Sequence, residues 1–398
     1  MKNNKLLGAI LLISGTAIGA GMLALPVITA EYGFIPSFIL FIITWLFMTF
    51  AALCMLEVNL WLPVSTNMIS MSKATLGKTG QIIAWSTYLL LLYSLMAAYL
   101  SGLDAMLQNT LKIWLNIHLD LIVGASILII IFGFVIYLGD KTIDYINRIF
   151  MLGLIVTFVC FIILIAPHIQ FNYLTTIKFN GVWFALPIIT TSFGFQIIIP
   201  SLRPYLNSDV KQLRKAILIG SLITLIVYLF WELLVMGVIP TYGSNGLLHI
   251  LNSGQPAVGL TIALQALLHH SWIAQIEEFF AFFAIITAFI GVAFSLFDFL
   301  ADGLRIKKNH IGRISTALLT FIPPLIFTLA YPRGFIIALG FAGIFVAILL
   351  CMMPAAMVIS GRYWKKMATG YRVKGGIFLL ALLVLFSILV IVFEIMTK

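Results

Sequence analysis

The chain has 398 residues, of which 62% are hydrophobic and only 9% charged, with a mean hydropathy of +1.15. Soluble domains carry roughly 25% charged residues, so a soluble enzyme or a soluble nucleic-acid-binding domain is excluded. The net charge of +10 then has to be explained by where the basic residues lie.

A bilayer-spanning helix needs about 20 mostly apolar residues, and such runs recur from Leu6 to Met396 with short polar breaks. They predict an all-α polytopic membrane protein of about eleven transmembrane helices, at residues 7–29, 36–60, 80–103, 120–138, 148–167, 183–202, 212–238, 273–300, 314–331, 334–360 and 374–396. An odd number of spans puts the termini on opposite sides. With the N-terminus inside, only Lys112, Lys178, Arg333 and Lys398 of the 23 basic residues fall outside. Cytoplasmic loops retain Lys and Arg in this way, so the basic balance is topological and implies no nucleic-acid partner. The first apolar run is longer than a signal-peptide core and is interrupted by Gly15, Gly19 and Gly21 where that core is most hydrophobic, which favours a retained span. Cys54, Cys160 and Cys351 sit in separate spans without metal-ligand spacing, which reads as small core residues and no metal site.

Lipid cannot satisfy free backbone groups, so an interrupted helix at membrane depth marks a protein-lined or polar cavity. The first span reads Ser14-Gly15-Thr16-Ala17-Ile18-Gly19-Ala20-Gly21 before Pro26, and the sixth reads Thr190-Thr191-Ser192-Phe193-Gly194-Phe195-Gln196 before Pro200. Two interrupted spans five helices apart are the pointer to an inverted-repeat transporter. The chain is then one transmembrane unit: residues 7–167 form a first five-helix repeat, 183–360 a second, inverted repeat, and 374–396 an additional helix. Glycines that merely permit close helix packing are the plainer alternative. The stretch from Pro240 to Ser271 is too long for a simple connection, and reads as surface or re-entrant helices over an external vestibule, or as a passive spacer.

Opposed half-helices suit a zwitterion. Free N–H groups near Gly19, Ala20 and Gly21 would face a carboxylate, whereas free carbonyls near Ser192 and Phe193 would face an ammonium group, and Ala17 at the first break is a further substrate-binding candidate. Thr16, Ser192 and Gln196 could add side-chain hydrogen bonds. Phe193, Phe195, Tyr93, Tyr99 and Phe289 are candidates for an aromatic wall around an apolar or aromatic side chain. Ionisable groups within spans are costly and therefore functional suspects. Glu57, Glu232, Glu277, Glu278 and Asp298 are the candidates, with Glu57 and Asp298 foremost for coupling and all except Glu232 near an interface. Thr287 could join carbonyls near Ala17 in a sodium site. None of the six histidines falls inside a predicted span, and no phosphate loop or H-E-x-x-H pair is present, which argues against an ATP-driven pump and a zinc protease. No cofactor is implied.

Gly15-Thr16-Ala17-Ile18-Gly19-Ala20-Gly21-Met22-Leu23-Ala24-Leu25-Pro26 resembles the first-helix signature of the aromatic amino acid permeases. Leu56-Glu57-Val58-Asn59, Ser192-Phe193-Gly194-Phe195, Leu296-Phe297-Asp298-Phe299-Leu300-Ala301-Asp302, Tyr331-Pro332-Arg333-Gly334-Phe335 and Gly370-Tyr371-Arg372-Val373-Lys374-Gly375-Gly376 resemble the tyrosine-specific members in order. The resemblance implies a leucine-transporter-like 5+5 fold and proton-coupled uptake of tyrosine, with tryptophan and phenylalanine as further substrates, in a bacterial inner membrane; the basic residues and the odd span count put the N-terminus in the cytoplasm and the C-terminus in the periplasm. Other large neutral amino acids and sodium coupling are the alternatives within transport, and an amino-acid-binding channel or sensor is the alternative in a different class. One departure stands out. The family usually places histidine after Ser-Phe-Gly-aromatic, where this chain has Gln196, followed by Ile197, Ile198 and Ile199 in place of smaller residues. Glutamine cannot titrate, so either this position is not the proton carrier or coupling differs here.

Overall fold

The computed structural model describes residues 2–64, 66–117, 119–138, 140–268, 271–306 and 310–397. His118, His269, His270, Lys307, Lys308 and Lys398 lie outside the described residues. Every regular element among the described residues is helical.

The helices, in chain order, are α1 Lys2–Ala17, α2 Gly21–Thr29, α3 Phe34–Leu60, α4 Met68–Leu115, α5 Leu121–Leu138, α6 Asp140–Ile165, α7 Leu186–Ser192, α8 Ile199–Tyr205, α9 Val210–Val238, α10 Leu247–Ser253, α11 Pro256–Leu268, α12 Ser271–Gly303, α13 His310–Ala330, α14 Phe335–Val346, α15 Met353–Ile359 and α16 Gly376–Met396. Among the described residues, 9 helices are long and apolar enough to cross a membrane, or 10 with the bent pair α1 and α2 counted as one span. The segment expected as the fourth span is helical as α5.

Local chemistry sets several of the ends. Asn67 accepts a hydrogen bond from the Ser70 N–H at 2.9 Å and opens α4, and Asp209 accepts from Lys211 and Gln212 and opens α9, each filling donors that a helix start leaves free. Inside α4, Gly77 adopts φ +77° and ψ −162°. It divides a short helix over residues 68–76 from the membrane-crossing part, a break absent from the apolar pattern. The expected long connection after α9 contains α10 and α11, which pack on α2. They therefore cover α2, the second half of the first span, rather than merely joining two spans.

The bundle is layered by exposure. The window of the sixth span is 67% buried, whereas that of the fifth, within α6, is only 17% buried. Apolar side chains such as Ile130, Ile163 and Phe378 point outward from the bundle, as a lipid-facing surface requires. The interior carries the polar groups instead: Ser192, Gln196, Thr224 and Glu232 are all buried. The innermost elements are therefore the broken ones, α2 and α7.

Candidate functional site

Both interruptions expected from the sequence are present. α1 ends at Ala17, α2 begins at Gly21, and the two are bent by 54°. Gly19 and Ala20, between the helices, donate no backbone hydrogen bond among the described residues. α7 ends at Ser192, and a tight turn over Gln196–Ile198 leads to α8. Pro187 and Pro200 each fall in the first two positions of a helix, where a missing N–H costs nothing. The prolines thus start the half-helices of the sixth span rather than kink them.

The two breaks lie against each other. A methyl group at Gly21 would meet the Ser192 hydroxyl oxygen at 2.8 Å, so the absence of a side chain at Gly21 lets the start of α2 approach the end of α7. Gly19 faces Ala288 of α12 at 3.5 Å in the same sense, next to Thr287. The structure therefore brings together Ala17, Gly19, Ala20, Gly21, Ser192 and Phe193. It also adds a residue that the sequence pattern did not single out: the Tyr228 hydroxyl on α9 lies 2.6 Å from the Ala17 carbonyl and 2.7 Å from the Ser192 carbonyl.

The polar side chains expected to assist are engaged locally. Thr16 donates to the Leu12 carbonyl at 2.6 Å, Ser192 to Ile188 at 3.0 Å, and Thr287 to Phe283 at 2.7 Å. Gln196 is fully buried and its amide N–H donates to the Met48 carbonyl of α3 at 2.9 Å, while its Oε1 has no hydrogen-bond partner among the described residues.

The aromatic candidates divide. Phe193 and Phe195 are fully buried, with Phe193 edge-on to Tyr228 at 5.1 Å, and Phe289 packs edge-on to Phe132 at 4.9 Å. Tyr99 is buried on α4 within electrostatic range of Tyr228. Tyr93 instead directs its hydroxyl to the Leu319 carbonyl of α13 at 2.8 Å. Gly194 sits beside Val346 and Leu350 of the tenth span.

A cavity of about 600 Å³ approaches this region from the side that carries the N-terminus. Asp298, Trp85, Tyr88, Ser201 and Leu349 line it, and Ile197, next to Gln196, is at its wall. On the opposite side α2 is buried almost throughout, and α10, α11 and α7 pack over it or against it.

Glu57, Glu232 and Glu277 are buried within the protein. Glu57 is fully buried and accepts two hydrogen bonds from Arg362, the one from Nε at 2.7 Å, and a third from the Val373 N–H at 2.6 Å. Glu277, expected at the interface, is also fully buried and paired with the Thr261 hydroxyl of α11. Glu232 is buried against the Thr29 hydroxyl of α2, and one oxygen of Glu277 has no hydrogen-bond partner among the described residues. Thr29 and Glu232 are 203 residues apart, so only a folded chain could show that pair, whereas Thr261 lies 16 residues before Glu277 on the preceding helix. Among the described residues no group of three or more His, Cys, Asp or Glu is placed to hold a metal ion.

Known proteins match this arrangement over nearly its whole length. The profile of the tryptophan/tyrosine permease family matches residues 2–394. The chain is 36% identical over 394 residues to the tyrosine-specific transport system 1 of Haemophilus influenzae, covering 97% of this chain and 96% of that protein. It is 33% identical over 410 residues to the tryptophan-specific transport protein of the same organism, covering 99% and 96%. To the low affinity tryptophan permease of Escherichia coli it is 33% identical over 400 residues, covering 98% and 95%. With a profile match that leaves only the extreme ends uncovered, the chain is a multi-pass membrane protein, a permease rather than an enzyme, and belongs to the tryptophan/tyrosine permease family.

Proposed function

We propose that the protein is a secondary active transporter that imports an aromatic amino acid, with tyrosine as the preferred substrate, by proton symport and alternating access. The observation that carries this reading is the meeting of two broken helices at a buried point, one offering free N–H groups at Gly19 and Ala20 and the other a carbonyl end at Ser192. In this reading the substrate carboxylate binds the Gly19–Gly21 turn, its ammonium group binds the carbonyls of Ala17 and Ser192, and Phe193, Phe195 and Phe289 enclose the ring. The relatives named for tyrosine and tryptophan transport support the substrate class. The order of sequence motifs favours tyrosine.

Packing also supports a 5+5 inverted repeat. In such a repeat the third and eighth spans are equivalent, as are the fifth and tenth. α4 packs on α14 and α12 packs on α6, so the third span pairs with the tenth as the eighth pairs with the fifth. Likewise α1 packs on α9 and α7 on α3, relating spans one and seven to six and two. In the orientation read from the basic residues, the N-terminus is cytoplasmic and the cavity lined by Asp298 opens inward. The substrate would then be released past Ile197 and Ser201.

The test is uptake of labelled tyrosine into proteoliposomes under an imposed inward proton gradient, with sodium varied. We expect accumulation that needs protons, ignores sodium and is accelerated by unlabelled substrate preloaded inside. Sodium-dependent uptake that ignores a proton uncoupler would overturn the proton assignment, and acceleration by preloading is what a channel or sensor lacks. Gln196→His should leave accumulation within about threefold, a difference of less than about 1 kcal/mol, because the buried Gln196 amide already has a structural partner in Met48. Accumulation only in the histidine variant would mean that coupling in this chain depends on a titratable group there.

A further inference from the structure

Ala17 and Ser192 are the last residues of α1 and α7. Carbonyls in the last turn of a helix have lost the donor that an uninterrupted helix would supply. Both carbonyls here are nonetheless within hydrogen-bond distance of one atom, the Tyr228 hydroxyl, at 2.6 and 2.7 Å. Tyr228 is fully buried, and its ring stands at 71° to that of Phe193. It belongs to neither broken span.

A phenol carries one proton, whereas an ammonium group carries three donors. One hydroxyl can serve two carbonyls only by sharing its proton or alternating between them, so the pair is under-supplied by Tyr228 and fully supplied by an ammonium group. We infer that the Tyr228 hydroxyl is a placeholder for the substrate's ammonium group, bridging the ends of both broken helices in the empty carrier and yielding them when substrate binds. This rests on the transport reading above and on its placement of the ammonium group.

The role follows from what an alternating-access carrier has to do in each cycle. Loaded, it crosses with the ligand holding the two breaks together. Empty, it must return with the same breaks in register and no ligand, and a buried carbonyl without a donor is unfavourable. Tyr228 supplies that donor from α9, a continuous helix that packs against both α1 and α2. It is a positioning residue for the empty carrier, and it competes with substrate in the loaded one.

Net uptake requires the empty return step and exchange does not, which separates this role from direct binding. Tyr228→Phe keeps the ring and its contact with Phe193 and removes only the hydroxyl. In proteoliposomes with labelled tyrosine outside, we expect exchange against unlabelled tyrosine inside to stay within about twofold of the parent, while uptake into empty vesicles falls at least tenfold, about 1.4 kcal/mol in the return barrier. A parallel fall in both modes would make Tyr228 part of the loaded site and overturn the placeholder. No change in either mode would reduce it to ring packing. Absence of both modes in the parent would overturn the transport reading itself, and the placeholder with it.

A second measurement needs no variant. Infrared difference spectra of the parent protein carrying isotope-labelled tyrosine, recorded on adding unlabelled tyrosine, should show one protein phenol losing its hydrogen-bond acceptors. Adding 3-(4-hydroxyphenyl)propionate, which lacks the ammonium group, should not. Equal bands with both ligands would overturn the placeholder.

Discussion

Glu57→Gln should destabilise the folded protein by about 3–5 kcal/mol, the usual cost of breaking a buried ion pair from one side, and should lose transport for that reason whatever ion drives it. Glu57 is fully buried and the Arg362 side chain is only 8% exposed. Both carboxylate oxygens are occupied, and Arg362 also donates to the Val373 carbonyl at 2.9 Å. One carboxylate therefore ties the end of α3 to the end of the tenth span and to the chain leading into α16. Nearby, the Arg214 guanidinium lies over the Tyr371 ring at 5.2 Å, and burial pushes the Tyr371 phenol up from its ordinary range. Thermal unfolding in detergent measures the loss. Adding Arg362→Met to Glu57→Gln removes the orphaned charge and should recover part of the stability. A Glu57→Gln protein as stable as the parent that exchanges substrate but cannot concentrate it would show instead that Glu57 is the coupling group.

Gly343→Leu should reduce uptake by about two orders of magnitude, the scale at which a misplacement of about 1 Å is felt by a positioned ligand. A Cβ on Gly343 would meet the Pro187 carbonyl oxygen at 2.5 Å and its carbon at 2.8 Å. Those atoms are backbone and cannot rotate aside. α14 and α7 must therefore separate, and α7 carries Ser192 at its other end. Overpacking of this kind costs about 1–3 kcal/mol in stability, so the protein should fold while its site is displaced. Gly291→Ala is the control, because nothing lies within 4 Å of its added Cβ. Parental uptake by Gly343→Leu would show that α7 is not held to α14 during transport.

The span pattern and the two breaks were legible in the sequence because each depends on neighbouring residues: apolar runs about 20 long, and polar or glycine clusters inside them. Gly15 to Gly21 and Ser192 to Gln196 announce themselves against Leu and Ile. Tyr228 does not. It is one aromatic in an apolar helix, and its partners are 211 and 36 residues away. The partners of Glu57 and Glu277 were hidden in the same way, since a residue near the end of a span shows none until Arg362 or the helix carrying Thr261 is folded over it. The Gly77 break lies where polar residues already suggested a loop, so its division of one long helix left no mark in hydropathy.

The tenth span contains two π-helical stretches, Ala347–Met352 and Ser360–Trp364. A π turn holds one residue more than an α turn, and successive residues in an α-helix are about 100° apart around the axis. Each stretch therefore absorbs one extra residue without rotating the two ends of the span against each other. Gly343, before the first stretch, faces Pro187, while Arg362, inside the second, faces Glu57. Deleting one residue between 347 and 352 should let that turn close as an ordinary α turn and leave Arg362 on Glu57. The same deletion in the α-helical stretch between 353 and 359 should turn everything beyond it by roughly a quarter of a revolution and swing Arg362 off Glu57.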